Sequence, residues 1–553
     1  MLAGAVPFSA ERARQYRAAG LWNGSTFPAM LHDSVLRRGE HVAVVDASGR
    51  SLTYRQLEHA SLVVAARMRA AGVGDRDRVV LQLPNVLEFL PVLFGVFWIG
   101  AVPVFALPAH RRESIAHFVR HADAVALITV ERHLRDPLGD VARAVQEELR
   151  GEGRELLVIT HPEQLMEEPA DGVGEELTRC AAIDAEDVAF LQLSGGTTGT
   201  PKLIPRTSDD YMLTLRLSDE ICAVDQDAVY LAALPIAHNF TMSSPGVLGT
   251  LLAGGTVVVA PTPAPDVCLP LIRRERVTIT ALVPPMALLW ARHVPQDPDV
   301  LASLRTLLIG GAKLTDAAAE RIAAAMPCRL QQVFGMAEGL VNYTRLDDPL
   351  EVVLHTQGRP MSEHDEIRIV DEQDRPVPRG TVGDLLTRGP YTINGYYRAE
   401  ETNRVSFTSD GFYRTGDLVR MREDGCLVVE GRSKDLINRA GEKIVAAHVE
   451  DVLLRDRRIL DVLVVPVPDD VLGERVVAVL RLQGHALPAD ALEPAPAEVA
   501  RRVRRQVRDS GLPAFCAPDE CVLAGDFPMT AVGKSSRRDL RRMLARRIAS
   551  AAS

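Results

Sequence analysis

Lysine is nearly missing from this chain. Of 63 basic residues only Lys202, Lys313, Lys434, Lys443 and Lys534 are lysine, the other 58 being arginine. Arginine has filled nearly every generic cation position, so a surviving lysine marks a place where a compact ammonium is needed and a planar guanidinium will not serve. All five lie beside glycine-rich or hinge-like sequence. Cysteine is also thin: seven residues with no Cys-x-x-Cys pair argue against a zinc frame or a disulfide scaffold and for a reducing compartment. Positive charge is not in excess. A net charge of −10 gives no global field that would draw nucleic acid, so none is expected as a partner. The start, Met1-Leu2-Ala3-Gly4, lacks the basic flank and cleavage site of a signal peptide, and a cytoplasmic protein is expected. Leu90 to Ala109 carries no charge over 20 residues, but Pro91, Gly95, Gly100, Pro103 and Pro108 interrupt it. It reads as a helix passing into a buried strand, not as a membrane span. A Walker A loop is absent too. The only Gly-Lys pair, Gly533-Lys534, has Pro528 where that motif needs its first glycine.

What is present begins with Ser194-Gly195-Gly196-Thr197-Thr198-Gly199-Thr200-Pro201-Lys202, directly after the apolar run Val188 to Leu193. Three glycines let backbone N–H groups approach a ligand, four hydroxyls add donors, and Lys202 adds a point charge. That is the chemistry of a loop around a polyphosphate, outside the P-loop class.

At 553 residues the chain is too long for one core. Short apolar runs alternate with amphipathic stretches up to about residue 185. Val42–Val45, Val79–Leu83, Ala124–Thr129 and Leu156–Ile159 read as strands and Tyr54–Ala71 as a helix. From 188 to 335 the alternation sharpens, with strands at Val229–Leu234, Thr256–Ala260, Thr278–Val283, Leu304–Ile309 and Leu330–Phe334 and a helix at Ser244–Leu252. This pattern predicts parallel sheets covered on both faces. After about 350, Ile367–Val370, Gly383–Thr387 and Cys426–Glu430 predict a small β-rich part. The last 120 residues return to mixed α and β, with Gly484–Glu498 as a loop.

Four further stretches read as chemistry. Gln331 to Gly339 is a strand ending in a glycine turn with one carboxylate, Glu338. Tyr413-Arg414-Thr415-Gly416-Asp417 sets an acid at a tight turn. Gly431 to Lys443 packs six charges around two glycines, and Gly533-Lys534 precedes a basic helix. In this order, and over nearly the whole length, they resemble the adenylate-forming superfamily of acyl-CoA synthetases, luciferases and nonribosomal adenylation domains. Pro235-Ile236-Ala237-His238-Asn239-Phe240, Ser243-Ser244-Pro245-Gly246 and Val341-Asn342-Tyr343-Thr344-Arg345-Leu346 are similar to the stand-alone aryl-acid AMP ligases of siderophore assembly, such as the 2,3-dihydroxybenzoate–AMP ligases.

The resemblance implies an α/β fold in which residues 1–433 form a large N-terminal domain. It has two α/β subdomains and a small β-barrel-like part at about 350–433. A smaller mobile α+β domain, 434–553, would turn about a hinge at Lys434. A carboxylate cannot acylate a thiol directly because oxide is a poor leaving group; it must first become a mixed anhydride with AMP. That step needs in-line positioning, a metal and cations on the developing charge. By resemblance Ser194, Gly195, Gly196, Thr197, Thr198, Gly199 and Lys202 hold the ATP phosphates, and Glu338 with Thr198 holds Mg²⁺. Gly310, Gly311, Ala312, Gln332, Val333, Phe334, Gly335 and Met336 frame the adenosine. Asp417 takes the ribose hydroxyls, with Arg432 beside it. Lys534, Lys434, Lys443 and His238 make up the catalytic set: Lys534 reaches the bridging region in the first half-reaction, and Gly441, Glu442 and Lys443 enter for the second. Lys313 receives no role.

The acid would meet His238, Asn239, Phe240, Ser244, Gly310, Val333 and Val341. A carboxamide at Asn239 can bond a carboxylate oxygen and an ortho-hydroxyl, and a hydroxyl at Ser244, where salicylate-activating relatives tend to carry cysteine, favours 2,3-dihydroxybenzoate. Ser244 as a mere helix cap is the bland alternative. Phe240 replaces a usual tyrosine and Ser208 a common histidine, which keeps salicylate, 3-hydroxyanthranilate and 3-hydroxypicolinate open. The thiol acceptor would be the phosphopantetheine of an aryl carrier protein on a separate chain or domain, with CoA as the alternative. Arg501, Arg502, Arg504, Arg505 and Arg508, then Arg537, Arg538, Arg541 and Arg542, are a surface for such a carrier or simply solvated helix faces. A nucleotide-binding regulator without catalysis would have lost the groups that this chain retains. The protein would be a monomer or homodimer.

Overall fold

The computed structural model describes residues 1–168, 183–194, 201–294, 297–469, 471–530 and 535–552. Two large sheets carry the N-terminal part. The nine-stranded one has six parallel strands at its centre, in the order Arg329–Gly335, Thr306–Gly310, Ile279–Leu282, Val229–Ala232, Thr256–Val259 and Val42–Asp46. The six-stranded one runs Leu157–Ile159, Ala124–Ile128, Arg78–Leu81, Val102–Phe105, Val188–Leu193 and Leu203–Thr207, all parallel but the last. The sheets do not follow chain order. Val42–Asp46 joins the strands from the second half, and Val188–Leu193 joins those from the first.

Between the sheets lies the main core. The helix Phe89–Trp98 is buried at all ten positions, and the strand Val102–Phe105 that follows is buried throughout, so the uncharged run is an interior helix and strand. Among the described residues no helix is long and apolar enough to cross a membrane. The six described cysteines are free thiols.

Three local expectations are refined or corrected. The helix expected at Ser244–Leu252 is Gly246–Ala253, and a second short helix, Asn239–Ser243, precedes it. Gly246 makes the break: its φ is +67°, and a Cβ there would stand 2.2 Å from the Thr241 carbonyl oxygen. Tyr413–Asp417 is not a turn but the bulged start of the strand Tyr413–Met421, with Gly416 at φ +72°. The loop expected at Gly484–Glu498 contains the strand Leu492–Pro494 and the start of the helix Ala497–Arg508.

The β-rich part is a four-stranded antiparallel sheet, Glu366–Val370, Gly383–Arg388, Tyr413–Met421 and Leu427–Arg432. Three residues in a single 3-10 turn, Ser433–Asp435, separate it from the C-terminal sheet, which starts at Leu436–Arg439. That last sheet is flanked by the helices Ala446–Leu454, Ala497–Arg508 and Arg537–Ala552. Much of the arginine here is structural. Val499, Val503 and Val507 face inward, Arg504 donates to the Asp519 and Pro518 carbonyls, and Arg537 pairs with buried Glu450.

The C-terminal sheet docks on the N-terminal part through the ends of two helices. Asp451 of the helix Ala446–Leu454 accepts from the backbone N–H of Ala317 at 3.0 Å, at the N-terminus of the helix Asp316–Ala325. Arg321 of that second helix returns the favour. Its guanidinium donates to the carbonyls of Leu454, Asp456 (3.1 Å) and Ile459 (3.2 Å), where the helix Ala446–Leu454 ends. Each helix thus satisfies the bare end of the other. Nearby, buried Glu430 meets Arg420 (2.7 Å) and Lys313 (3.8 Å) on its own side and His448 (2.6 Å) across the boundary. Burial alone would raise the Glu430 carboxyl, but these cations hold it down at about 2. Arg321→Ala should weaken the docking by roughly 1–3 kcal/mol, the worth of hydrogen bonds from a charged donor. Limited proteolysis at residues 433–435 would then speed up several-fold with the N-terminal unfolding midpoint unchanged; equal cleavage rates would count against this role.

Candidate active site

On one side of the cleft the backbone is aimed by an asparagine. Asn85 donates through its amide nitrogen to the carbonyls of Ala232, Leu234 and Ala260, at 2.9–3.0 Å, and accepts from the Ile236 N–H at 2.8 Å. It thereby ties the ends of two parallel strands to the turn that leads into residues 238–244. There His238 caps the short helix Asn239–Ser243, its Nδ1 accepting from the Phe240 N–H at 3.2 Å, so the ring proton belongs on Nε2. The tip of the Phe240 ring abuts Gly310, where a Cβ would come within 2.9 Å of it. Gly310 is the register partner of Val333, and Val341 packs over Gly335. Phe240, Gly310 and Val333 thus lie side by side, Val341 packs on the end of the same strand as Val333, and His238, Asn239 and Ser244 belong to the short helix of Phe240 or its ends. The cap reading of Ser244 fails, since the helix Gly246–Ala253 takes no side-chain cap. Ser244 instead faces the hydroxyl of fully buried Tyr343, which is also 2.8 Å from Ser218 Oγ.

The other side is organised around a hairpin neck. The Ser194 N–H donates to the Lys202 carbonyl at 2.9 Å, and the Lys202 N–H donates to Ser194 Oγ at 3.0 Å, which closes the two strand ends on each other. Gly195, Gly196, Thr197, Thr198 and Gly199 lie outside the described residues, as do Gly533 and Lys534. The Lys202 ammonium sits 4.6 Å over the Tyr396 ring. Tyr396 donates to Glu338 Oε1 at 2.9 Å and takes the Tyr413 hydroxyl at the same distance. Glu338 is buried with that one oxygen held, a carboxylate suited to a cation that binds through one or two carboxylates plus phosphate oxygens.

Asp417 and Arg432 are register partners across two strands, 2.9 Å apart. Burial pushes the Asp417 carboxyl up and Arg432 restrains it. Lys434 is in the same field: burial first, then Arg432 and Lys202, lower its ammonium, and Asp435 and Asp417 oppose them. Gly311 (φ +83°), half-buried Phe334 and Met336 and exposed Gly335 and Ala312 rim this space. Gln332 is not on the rim. Its side chain bonds the Val353 and Leu354 carbonyls and Gln357, and its backbone bonds Thr344. Lys443 is elsewhere too, paired with Glu372 on the β-rich part, and Gly441 and Glu442 are exposed with it.

One buried ion pair joins the two sides. Arg206 and Asp210, each 1% exposed, meet at 2.8 Å. Asp210 caps its own helix through Thr207, and Arg206 donates at 3.0 Å to the Ala337 carbonyl beside Glu338. The same guanidinium stacks 4.7 Å from the Tyr211 ring, whose hydroxyl donates to Asn239 Oδ1 at 2.8 Å. Asn85, Arg206, Tyr211 and Tyr396 carry no spacing signal by themselves. The one trace is Arg206 and Asp210, opposite charges at i and i+4 around a Thr-x-x-Asp box.

A family model described as AMP-binding enzyme matches residues 31–397, and one described as AMP-binding enzyme C-terminal domain matches 448–534. The chain belongs to the AMP-binding enzyme family. It is 47% identical to a 2,3-dihydroxybenzoate-AMP ligase of Bacillus subtilis over 99% of both chains. It is 42% identical to a salicyl-AMP ligase / salicyl-S-ArCP synthetase of Mycobacterium tuberculosis over 98% of this chain and 95% of that one. Among solved structures, apo MbtA of Mycobacterium smegmatis is 41% identical with a TM-score of 0.73, over 98% of this chain and 99% of that one. A benzoate CoA ligase of Burkholderia xenovorans is 25% identical with a TM-score of 0.80, over 94% and 100%. These agree with the α/β fold of a large N-terminal and a small C-terminal domain.

Arg206→Leu leaves Asp210 buried without its partner and should cost about 3–5 kcal/mol in urea unfolding, whereas Arg206→Leu with Asp210→Leu should regain most of it. A single substitution as mild as the double would contradict the pairing.

Proposed function

We propose that the protein is an aryl-acid–AMP ligase. It activates an ortho-hydroxylated aryl acid, 2,3-dihydroxybenzoate by preference, as the acyl adenylate with release of pyrophosphate. It then passes the acyl group to the phosphopantetheine thiol of an aryl carrier protein on another chain or domain, in siderophore or nonribosomal peptide assembly in the cytoplasm. The observation that carries this reading is the meeting, across one buried ion pair, of an apolar slot offering an amide and a hydroxyl with a polar space holding Glu338, Lys202 and Asp417. Full-length identity to ligases named for 2,3-dihydroxybenzoate and salicylate supports it.

In this reading the aryl ring lies over the surface that Phe240 and Gly310 form together, beside Val333 and Val341, with Asn239 at the carboxylate and ortho-hydroxyl and Ser244 at the 3-hydroxyl. His238 orients the short helix that presents them. The carboxylate oxygen attacks the α-phosphate of ATP and pyrophosphate leaves. Negative charge builds on the phosphoryl oxygens, so cations must be in place beforehand, because their reorganisation during the step would add to the barrier. Residues 194–202 embrace the β- and γ-phosphates, Asp417 accepts from the ribose hydroxyls, and Lys534 meets the bridging region. Mg²⁺, held by Glu338 and Thr198, would neutralise phosphate charge. Residues 434–553 form the moving domain, with Lys434 at its hinge, and Gly441, Glu442 and Lys443 replace Lys534 for thiol transfer.

Carboxylate-dependent pyrophosphate exchange over a panel of ortho-substituted aryl acids tests the reading, with 2,3-dihydroxybenzoate expected to give the highest kcat/KM. A flat response, or a preference for fatty acids, overturns it. Comparing a loaded carrier with free CoA as acceptor decides the second step. In single-turnover assays Lys534→Ala should lower adenylate formation by roughly 10²–10³, the usual worth of one charge-stabilising donor, and spare thiol transfer from supplied acyl-AMP. Equal loss in both half-reactions would refute the division of labour between Lys534 and Lys443.

A further inference from the structure

Tyr211 is a fully buried phenol in the helix Ser208–Cys222 with no place in the chemistry above. Its ring is fixed on three sides. Phe190 meets it edge-on at 4.7 Å, Phe27 lies at 6.2 Å, and the Arg206 guanidinium covers a face at 4.7 Å. A ring held this way brings its hydroxyl to Asn239 Oδ1, 2.8 Å away, with the Ser243 hydroxyl beside it. The Ser243 hydroxyl donates to the Asn239 backbone carbonyl at 3.1 Å. With its oxygen turned to Tyr211, the Asn239 amide presents its NH₂ to a ligand.

A carboxamide with its oxygen inward is a pure donor, and the consequence for the acid is chemical. A 2-hydroxybenzoate keeps its phenolic proton on its own carboxylate, so the ortho oxygen and the carboxylate oxygen both face outward as acceptors. An NH₂ with two protons matches that edge. A 2-aminobenzoate also donates one proton internally, but its second N–H points outward and its lone pair is drawn into the ring. Donor would then meet donor. If the amide were free to turn over, its oxygen could accept from that amine and the two acids would be treated alike.

We infer that Tyr211 is a specificity-determining positioning residue: by holding the Asn239 amide in one orientation it makes the site accept aryl acids with an ortho acceptor and reject those with an ortho donor. The inference rests on the aryl-acid reading of the pocket. The test is pyrophosphate exchange with salicylate and anthranilate, in the wild-type protein and in Tyr211→Phe. The wild type should favour salicylate by more than tenfold in kcat/KM. Tyr211→Phe should shrink that ratio roughly tenfold, the scale of one buried hydrogen bond, with the KM for ATP unchanged. Tyr211→Phe added to Asn239→Ala should change the ratio no further. An unchanged ratio in folded Tyr211→Phe overturns the inference. If that variant does not fold, the wild type alone still decides, because parity or a preference for anthranilate also overturns it. Exchange with aryl acids that ignores the ortho group sinks this inference only, whereas no exchange with any aryl acid sinks the reading beneath it.

Discussion

The Arg206–Asp210 pair is the constraint on which the site depends. Two opposite charges sealed away from water are tolerable when they meet closely and most of their other polar atoms find partners. Here the further bonds go to the Ala337 carbonyl and to the start of the helix Ser208–Cys222, while Arg206 Nη2 has only its 2.8 Å approach to Asp210. The pair therefore joins the turn that carries Glu338 to the helix that carries Tyr211. Neither side can shift without exposing a charge to an apolar interior, and the distance between the two halves of the cleft is set by a rigid element instead of by loops.

Secondary structure was legible wherever periodicity was local. The strands at 42–45, 79–83, 124–129 and 330–334 match the observed ones to within two residues, because each is a short apolar run bounded by turn residues. What stayed hidden was decided at long range. Nothing near Val188 says that its strand, besides pairing with Leu203–Thr207 just after it, will lie beside Val102–Phe105. The bulge at Gly416 needs a positive φ and the break at Gly246 a close backbone approach as well, which a glycine in a sequence permits but does not announce.

The site divides the same way. His238, Asn239, Phe240 and Ser244 could be named because they fall in contiguous stretches that resemble the aryl-acid AMP ligases, and Gly310, Val333 and Val341 follow from the same resemblance. Tyr211, Asn85 and Tyr396 look like ordinary residues of a helix and two loops. They matter only because distant segments present carbonyls or a carboxylate to them. The scarcity of lysine was the more useful clue. Lys202 and Lys434 share one field and Lys313 stands at the domain boundary, so three of the four described lysines lie where a small charge meets a crowded carboxylate or another cation.

That boundary has a property of its own. The helices Asp316–Ala325 and Ala446–Leu454 complete each other's ends, one through Asp451 and the other through Arg321. A sliding motion of a few ångströms would strip the backbone groups of both helices at once and recover nothing until water or a new partner arrived. The contact cannot yield by degrees. It has the build of a detent: any release of the C-terminal sheet would have to break both sets of bonds in one event.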